Sequence, residues 1–84
     1  MAEVTIYSTK VCPYCVRAKM LLDKKNVKYT EVDVTNPQER QKLMERTNGA
    51  RTVPQIYIGD YHVGGSDDLY ALDSQGKLDE LLAG

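Results

Sequence analysis

The chain has 84 residues, of which 42% are hydrophobic, and a formal net charge of −1 at pH 7. This length fits one domain, residues 1–84, with a small core. The nearly balanced charge and the lack of a basic stripe argue against a nucleic-acid partner. The first residues lack the pattern of a secretion leader, so we expect none, and no apolar stretch reaches the ~18 residues that cross a membrane. We therefore expect a cytoplasmic protein without membrane contact, whose cysteines stay mostly reduced.

The first part of the chain predicts a strand followed by a helix. Residues 3–8 are mostly β-branched or aromatic, contain no helix or strand breakers, and predict a central strand. The run 16–25 has apolar residues at roughly helical spacing, and we expect Met20 and Leu22 to pack in the core. Asn26 suits the helix end, because asparagine tolerates the left-handed conformation.

The middle of the chain predicts a second strand and a second helix. Residues 27–34 alternate apolar and polar side chains, which indicates a strand with one buried face. Because a helix joins it to the first strand, the two strands should be parallel. Asn36 and Pro37 are typical of a helix cap and a first helical residue, and Asn48 with Gly49 should end this helix.

The last third predicts a hairpin and two short helices. Residues 56–58 and 61–63 form strand-like runs around the turn pair Gly59-Asp60. Ser66 is predicted to cap the third helix. The leucines between residues 78 and 82 predict a last amphipathic helix.

The only two cysteines, Cys12 and Cys15, lie between the first strand and the first helix. A Cys-x-x-Cys pair at such a junction is a signature of redox-active dithiols. Free backbone N–H groups and the positive end of the helix dipole favour a thiolate at Cys12. Cys15 is near enough to attack a mixed disulfide formed there. Pro13 suits the first helical position, and Lys10 adds a cationic neighbour.

Other uses of the cysteine pair are less consistent with the sequence. A zinc site within this chain would need more cysteines or histidines, and His62 is the only histidine. A purely structural disulfide would close a loop of roughly four residues and remove little entropy from the unfolded chain. We interpret the pair as redox-active, and His62 as a surface residue rather than a base.

Two other stretches carry signals with more than one interpretation. At Val53-Pro54 the residues alone favour an ordinary proline at a strand end over a cis bond. Gly64 and Gly65 permit a tight turn before Ser66. That helix start can be a simple cap or a small anion-accepting notch, and the residues leave both interpretations open.

The segments Cys12-Pro13-Tyr14-Cys15, Thr52-Val53-Pro54 and Gly64-Gly65-Ser66-Asp67-Asp68-Leu69 together resemble those of small bacterial-type dithiol glutaredoxins, in the same order and spacing. The resemblance extends over residues 4–82. It implies an α/β thioredoxin fold: a central four-stranded mixed sheet flanked by helices, in the order β-α-β-α-β-β-α plus a short C-terminal helix. It also implies a glutathione-dependent disulfide oxidoreductase that reduces protein-glutathione mixed disulfides and protein disulfides. Ser66 departs from the pattern, since many relatives have a third cysteine there.

The resemblance further implies a role for each matching residue. Cys12 would be the nucleophile and Cys15 the resolving thiol. Pro54 would be cis, and the Val53 backbone would pair with the cysteinyl part of glutathione. The Ser66 and Asp67 N–H groups would hold the γ-glutamyl carboxylate, and the Asp67 side chain would bind the neighbouring ammonium. The cations Lys10 and Arg51 would face the glycine carboxylate. The implied glutathione-binding residues are Lys10, Tyr14, Arg51, Thr52, Val53, Pro54, Gly65, Ser66 and Asp67.

The resemblance implies glutathione as reductant and cosubstrate, without a tightly bound cofactor or metal. Its partners would be glutathionylated or disulfide-containing proteins. Relatives serve ribonucleotide reductase, although nothing in this sequence selects that client, and we expect a monomer. Two alternatives stay open: a redoxin reduced by a flavoprotein reductase, and a carrier of a [2Fe–2S] cluster held between two chains by Cys12 and glutathione. Pro13 should stiffen the turn and disfavour the cluster.

Overall fold

The computed structural model describes residues 2–50 and 52–83. Strands and helices follow one another in the order that the sequence indicates. The strands are β1 (Val4–Ser8), β2 (Tyr29–Asp33), β3 (Gln55–Ile58) and β4 (Tyr61–Gly64), and the helices are α1 (Pro13–Lys24), α2 (Pro37–Arg46), α3 (Ser66–Ser74) and α4 (Lys77–Ala83). No helix in the described ranges is long and apolar enough to cross a membrane.

The four strands form one mixed sheet in the order β2-β1-β3-β4. β1 and β2 are parallel, whereas β3 is antiparallel to both β1 and β4. β1 is therefore central, as predicted, and the sheet with its four helices confirms the thioredoxin fold that the resemblance implies. The β3–β4 pairing contains a register shift: Ile56 faces Gly64 and Tyr57 faces His62, so that Val63 is an extra residue in β4.

The main core lies on one face of the sheet, beneath α1, α3 and α4. Alternate residues of β1 and β3 face these helices, because side chains along a strand point to opposite faces. The core side chains are Val4, Ile6, Ala18, Leu21, Leu22, Val27, Ile56, Ile58, Leu69, Leu78 and Leu82. The opposite face carries Tyr7 and Tyr57, and the guanidinium of Arg46 from α2 lies 3.9 Å from the Tyr57 ring centroid.

Two expectations about burial are wrong. Met20 was expected in the core but is 62% exposed, since the helical period turns Ala18, Leu21 and Leu22 inward and Met20 outward. The run 27–34 was expected to be a strand with one buried face, but only its end residues Val27 and Val34 are buried, and each residue of β2 between them is exposed or half-buried. The reason is its position at the edge of the sheet, where it has a strand on one side only.

The helix ends agree with the sequence except at α3. Asn36 caps α2, since its side chain accepts a hydrogen bond from the Gln38 N–H at 2.7 Å. Asn26 adopts the left-handed conformation after α1, with φ 57°. The prediction that Ser66 caps α3 is wrong, because Gly65 is the cap and Ser66 is the first helical residue. No partner for the buried Ser66 hydroxyl is found among residues 2–50 and 52–83.

An ion pair connects α1 to the edge strand β2. The Glu31 carboxylate accepts hydrogen bonds from the Lys19 ammonium at 2.8 Å and from the Ser8 hydroxyl at 2.7 Å. The Lys19 bond, and after it the Ser8 bond, lowers the pKa of Glu31 below its usual value. The same bond raises the pKa of Lys19. The pair therefore stabilises the contact between α1 and β2 most strongly when both groups are charged.

Glu31→Gln keeps an oxygen acceptor for Ser8 but removes the charge that pairs with Lys19. The Glu31 side chain is 42% exposed, so we expect the free energy of unfolding at pH 7 to fall by only about 0.5 kcal/mol. Because the folded-state pKa of Glu31 is lowered, its contribution is complete above the unfolded pKa and is lost as the pH falls through the folded pKa. Urea unfolding should therefore show the difference disappearing in acid. A difference that persisted at about pH 2 would contradict this account.

Ser66→Ala removes a buried hydroxyl without a described partner. We expect the free energy of unfolding to stay constant or to rise by up to about 1 kcal/mol, since burial of an unpaired hydroxyl is unfavourable. Ser8→Ala is the matched control: Ser8 is 2% exposed and Ser66 is 3% exposed, but the Ser8 hydroxyl donates to Glu31. Its loss should cost about 1 kcal/mol in the same unfolding measurement. A loss of that size at Ser66 would show that its hydroxyl has a partner.

Candidate active site

Cys12 occupies the cap position of α1, and Pro13 is the first helical residue, as predicted. The Cys15 N–H points at the Cys12 Sγ at a distance of 3.1 Å. The two sulfur atoms are joined in a disulfide, and the two Cα atoms are 5.2 Å apart. When the disulfide is reduced, this N–H and the positive end of the α1 dipole stabilise negative charge on the Cys12 sulfur.

The two cysteines differ sharply in exposure. Cys12 is half-buried, whereas Cys15, which belongs to the first turn of α1, is only 1% exposed. An incoming sulfur can therefore reach Cys12 from solvent but cannot approach Cys15 directly. Cys15 can react with the neighbouring Cys12 sulfur without leaving the helix. This asymmetry gives the pair an outer and an inner sulfur.

A groove of about 510 Å³ lies between α1, the loop before β3 and the start of α3. It brings together seven of the residues that the resemblance implies for glutathione. Its lining residues are Tyr14, Ala50, Thr52, Val53, Pro54, Gln55, His62, Gly64, Gly65, Ser66, Asp67 and Asp68. Residues far apart in the sequence thus converge on one open surface.

The other two implied residues are not placed in this groove. Lys10 was expected to line it, but Lys10 lies in a second, polar pocket of about 270 Å³ together with Ser8, Thr9, Lys19, Glu31 and Asp33. The loop before α1 turns its side chain toward the ends of β1 and β2. Arg51, the other expected cation, lies outside the described residues.

The loop before β3 passes close to the outer sulfur. The Val53–Pro54 bond is cis, which confirms the expectation from the resemblance rather than the one from the residues alone. The carbonyl oxygen of Val53 lies 3.8 Å from the Cys12 Sγ. The backbone of Val53 therefore stands beside the sulfur, at the edge of the groove.

The start of α3 forms the far end of the groove. The first helical N–H groups, those of Ser66 and Asp67, have no intrahelical acceptor, and the helix dipole is positive there. The Asp68 carboxylate accepts from the Gly65 N–H at 3.0 Å. Gly64 has φ 109°, and a Cβ at this position would collide with that carboxylate. A glycine is thus needed where the chain turns into α3.

Sequence reasoning missed two groove residues, Gln55 and His62. Gln55 is 5% exposed, and its amide joins Thr52 to His62 through hydrogen bonds. His62 is exposed, as expected, but it lines the groove instead of a remote surface. The register of the predicted hairpin is a signal that could have found His62, because a two-residue turn at Gly59-Asp60 places His62 opposite Tyr57.

The described residues contain no group of three or more histidine, cysteine, aspartate or glutamate side chains arranged to hold a metal ion. The chemistry that this chain itself supplies at the groove is that of a dithiol. A sulfur that the helix start favours as a thiolate and a second sulfur behind it can carry out thiol–disulfide exchange, and the adjacent groove leaves room for a substrate.

Comparison with known proteins agrees with this geometry. The glutaredoxin family profile matches residues 4–63. A glutaredoxin of Pseudomonas aeruginosa is 51% identical over 83 residues, which cover 99% of each chain. The solution structure of a glutaredoxin from Brucella melitensis has a TM-score of 0.84 and 51% identity, covering 98% of this chain and 89% of that one. A buckwheat glutaredoxin–glutathione complex has a TM-score of 0.87 and 29% identity, covering 98% and 77%.

Membership of this family implies thiol-disulfide oxidoreductase activity, and the Cys12–Cys15 pair is the redox-active dithiol that such activity needs. The family match covers more than half of the chain, and the relatives match nearly all of it. The chain belongs to the glutaredoxin family.

Proposed function

We propose that this protein uses glutathione to reduce protein-glutathione mixed disulfides and protein disulfides. The observation that carries the proposal is the half-buried Cys12 sulfur, which is backed by the buried Cys15 and lies beside Val53 at the edge of an open groove. A groove next to the reactive sulfur suits a substrate in which one half of the disulfide is always the same small peptide. The buckwheat relative, whose structure is a complex with glutathione, supports the choice of glutathione as that peptide.

In the proposed complex, glutathione lies along the groove with its sulfur at Cys12. Its cysteinyl backbone pairs with the Val53 backbone, beside the outer sulfur. Its γ-glutamyl carboxylate accepts from the Ser66 and Asp67 N–H groups at the start of α3, where the helix dipole favours an anion. The Asp67 carboxylate takes the neighbouring ammonium, so that each charge of this zwitterionic end meets an opposite one. Lys10, which lies in the second pocket, is not part of this assignment.

For a glutathionylated client, one cysteine is sufficient. The Cys12 thiolate attacks the glutathione sulfur, the client thiolate leaves and takes a proton, and Cys12 becomes glutathionylated. A second glutathione thiolate attacks the glutathione sulfur of that mixed disulfide, which gives glutathione disulfide and releases the Cys12 thiolate. The N–H of Cys15, aimed at the Cys12 Sγ, stabilises the departing thiolate in this second step.

For a protein disulfide, both cysteines take part. The Cys12 thiolate attacks one client sulfur and forms a mixed disulfide. The Cys15 thiolate then attacks the Cys12 sulfur, which releases the reduced client and leaves the Cys12–Cys15 disulfide. Two glutathiones reduce that disulfide and are themselves oxidised to glutathione disulfide. Glutaredoxin couples lie near about −200 to −230 mV, close to the glutathione pool, so the pool can drive both routes.

We further propose that the protein works as a monomer in the cytoplasm. A free groove beside Cys12 suits clients that dock and leave, and the glutathione pool of a reducing compartment keeps the dithiol reduced. The clients are glutathionylated or disulfide-containing proteins. Ribonucleotide reductase is one candidate, and this chain's residues do not select among them.

The deciding experiment measures glutathione-dependent reduction of a glutathionylated peptide by wild type, Cys15→Ser and Cys12→Ser. We expect turnover in wild type and in Cys15→Ser, because the first route needs only Cys12, and no turnover in Cys12→Ser. With a protein disulfide as substrate, Cys15→Ser should also be inactive. If Cys15→Ser abolished both reactions, the division of roles would be wrong. If wild type needed a flavoprotein reductase in place of glutathione, the protein would be a reductase-coupled redoxin.

Asp67→Asn tests the assignment of the γ-glutamyl end. We expect the KM for the glutathionylated peptide to rise about fivefold, the equivalent of about 1 kcal/mol, because the ammonium loses its charged partner. Asp60→Asn is the matched control, since it makes the same charge change at the exposed β3–β4 turn. A peptide carrying cysteinylglycine, which lacks the γ-glutamyl group, should be reduced equally well by Asp67→Asn and wild type. A fivefold penalty with that substrate as well would refute the assignment.

A further inference from the structure

We propose that Gln55 and His62 are positioning residues that hold the Thr52-Val53-Pro54 loop in the conformation that accepts glutathione. The inference rests on the proposed function, since it concerns how the Val53 backbone is presented to that substrate. Neither side chain belongs to the dithiol. Both act through the loop between them and the Cys12 sulfur.

Gln55 connects the two ends of the loop. It is the first residue of β3, directly after Pro54, and its side chain is buried. The Gln55 Nε2 donates to the carbonyl oxygen of Thr52 at 2.9 Å and lies 3.3 Å from the Thr52 hydroxyl. The side chain thus reaches back across Pro54 and fixes Thr52 to the start of the strand. Val53 lies between these two fixed points.

His62 completes the hydrogen bonds of the Gln55 amide. The His62 Nε2 lies 2.7 Å from the Gln55 Oε1. Because the amide nitrogen is directed at Thr52, the amide oxygen needs a donor, and His62 supplies it from Nε2. Gln55 is therefore held at both ends of its amide.

The geometry of the β3–β4 hairpin places the His62 ring within hydrogen-bond distance of Gln55. The two-residue turn after β3 puts His62 opposite Tyr57, and hence on the face of the sheet that Gln55 and Tyr57 share. The imidazole stacks on the Tyr57 ring, with centroids 4.7 Å apart and planes 14° apart. The Arg46 guanidinium also packs against that ring. These contacts hold the His62 ring where its Nε2 can donate to Gln55.

These contacts matter because of what Val53 faces. Its carbonyl oxygen lies 3.8 Å from the Cys12 Sγ, so the loop position determines where a peptide paired with Val53 stands relative to the sulfur. Loss of the Gln55 bonds frees Thr52, and a small displacement of the paired peptide lowers the rate of in-line attack on its sulfur. A substrate without a peptide backbone has nothing to pair with Val53, and it should not respond to the loop.

The test compares two substrates in the Cys15→Ser background, where Cys12 reacts alone. One peptide carries its thiol on an N-terminal mercaptohexanoyl group, which keeps its own backbone away from the disulfide. It is prepared as its mixed disulfide with glutathione and as its mixed disulfide with cysteamine, which has no peptide backbone. Second-order rate constants for the reaction of Cys12 with each are measured. Gln55→Met removes the hydrogen bonds of the amide to Thr52 and to His62 at similar size, and His62→Phe keeps an aromatic ring on Tyr57 but removes the donor to Gln55. Tyr61→Phe, on the same strand and outside the groove, is the control.

With the glutathionylated peptide we expect a rate constant about tenfold lower in Gln55→Met, which loses the hydrogen bonds to Thr52 and His62. We expect a rate constant about threefold lower in His62→Phe, which loses only the bond between His62 and Gln55. With the cysteamine mixed disulfide both variants should match the parent. The double variant should be no slower than Gln55→Met, because His62 acts only through Gln55. Tyr61→Phe should match the parent with both substrates.

Variants that fold and react like the parent with both substrates would overturn the inference. An equal loss with both substrates would also overturn it, since that is the mark of a general disturbance of Cys12. If Gln55→Met gives no cooperative melting transition, the exposed position His62 decides the question alone. A parent that shows no preference for the glutathionylated peptide contradicts the proposed function itself, and this result is seen before any groove variant is made.

Discussion

The N–H of Cys15 pointing at the Cys12 sulfur is the contact on which the chemistry of this molecule depends. It exists because Cys12 stands at the cap of α1 and Pro13 begins the helix, which turns the free N–H groups of the first turn toward the sulfur. The same helical turn buries Cys15 and leaves Cys12 accessible. One local arrangement therefore favours the thiolate, distinguishes the two cysteines and keeps the second within reach of the first.

The sheet gives this helix start its surroundings. β1 ends just before Cys12, and its antiparallel neighbour β3 begins beside that end of β1. The loop into β3 therefore passes the sulfur, and the start of α3 follows after the short β4. Two helix N-termini and one exposed stretch of backbone thus border a single groove. This is the surface along which the proposed function places glutathione, with its carboxylate at the start of α3 and its sulfur at Cys12.

A second set of contacts supports the groove from behind. The Gln55 amide, the His62 ring and the Tyr57 ring form a continuous packed and hydrogen-bonded unit under the loop. At the opposite edge of the sheet, the ion pair of Lys19 and Glu31 connects α1 to β2. In a chain of 84 residues with a small core, such polar contacts contribute noticeably to the order of the site.

The sequence by itself determined the features that depend on neighbouring residues: the strand and helix order, the capping of α2 by Asn36, the left-handed Asn26 and the Cys-x-x-Cys pair at a helix start. These follow from local backbone and side-chain preferences. The tertiary structure decided what depends on residues distant in the chain. It turned Met20 outward and Lys10 into a second pocket, made Gly65 rather than Ser66 the cap of α3, and brought His62 to Gln55. The physical reason is that burial and side-chain neighbours are set by which strands and helices meet and in which register, and those contacts join residues that are distant in the chain.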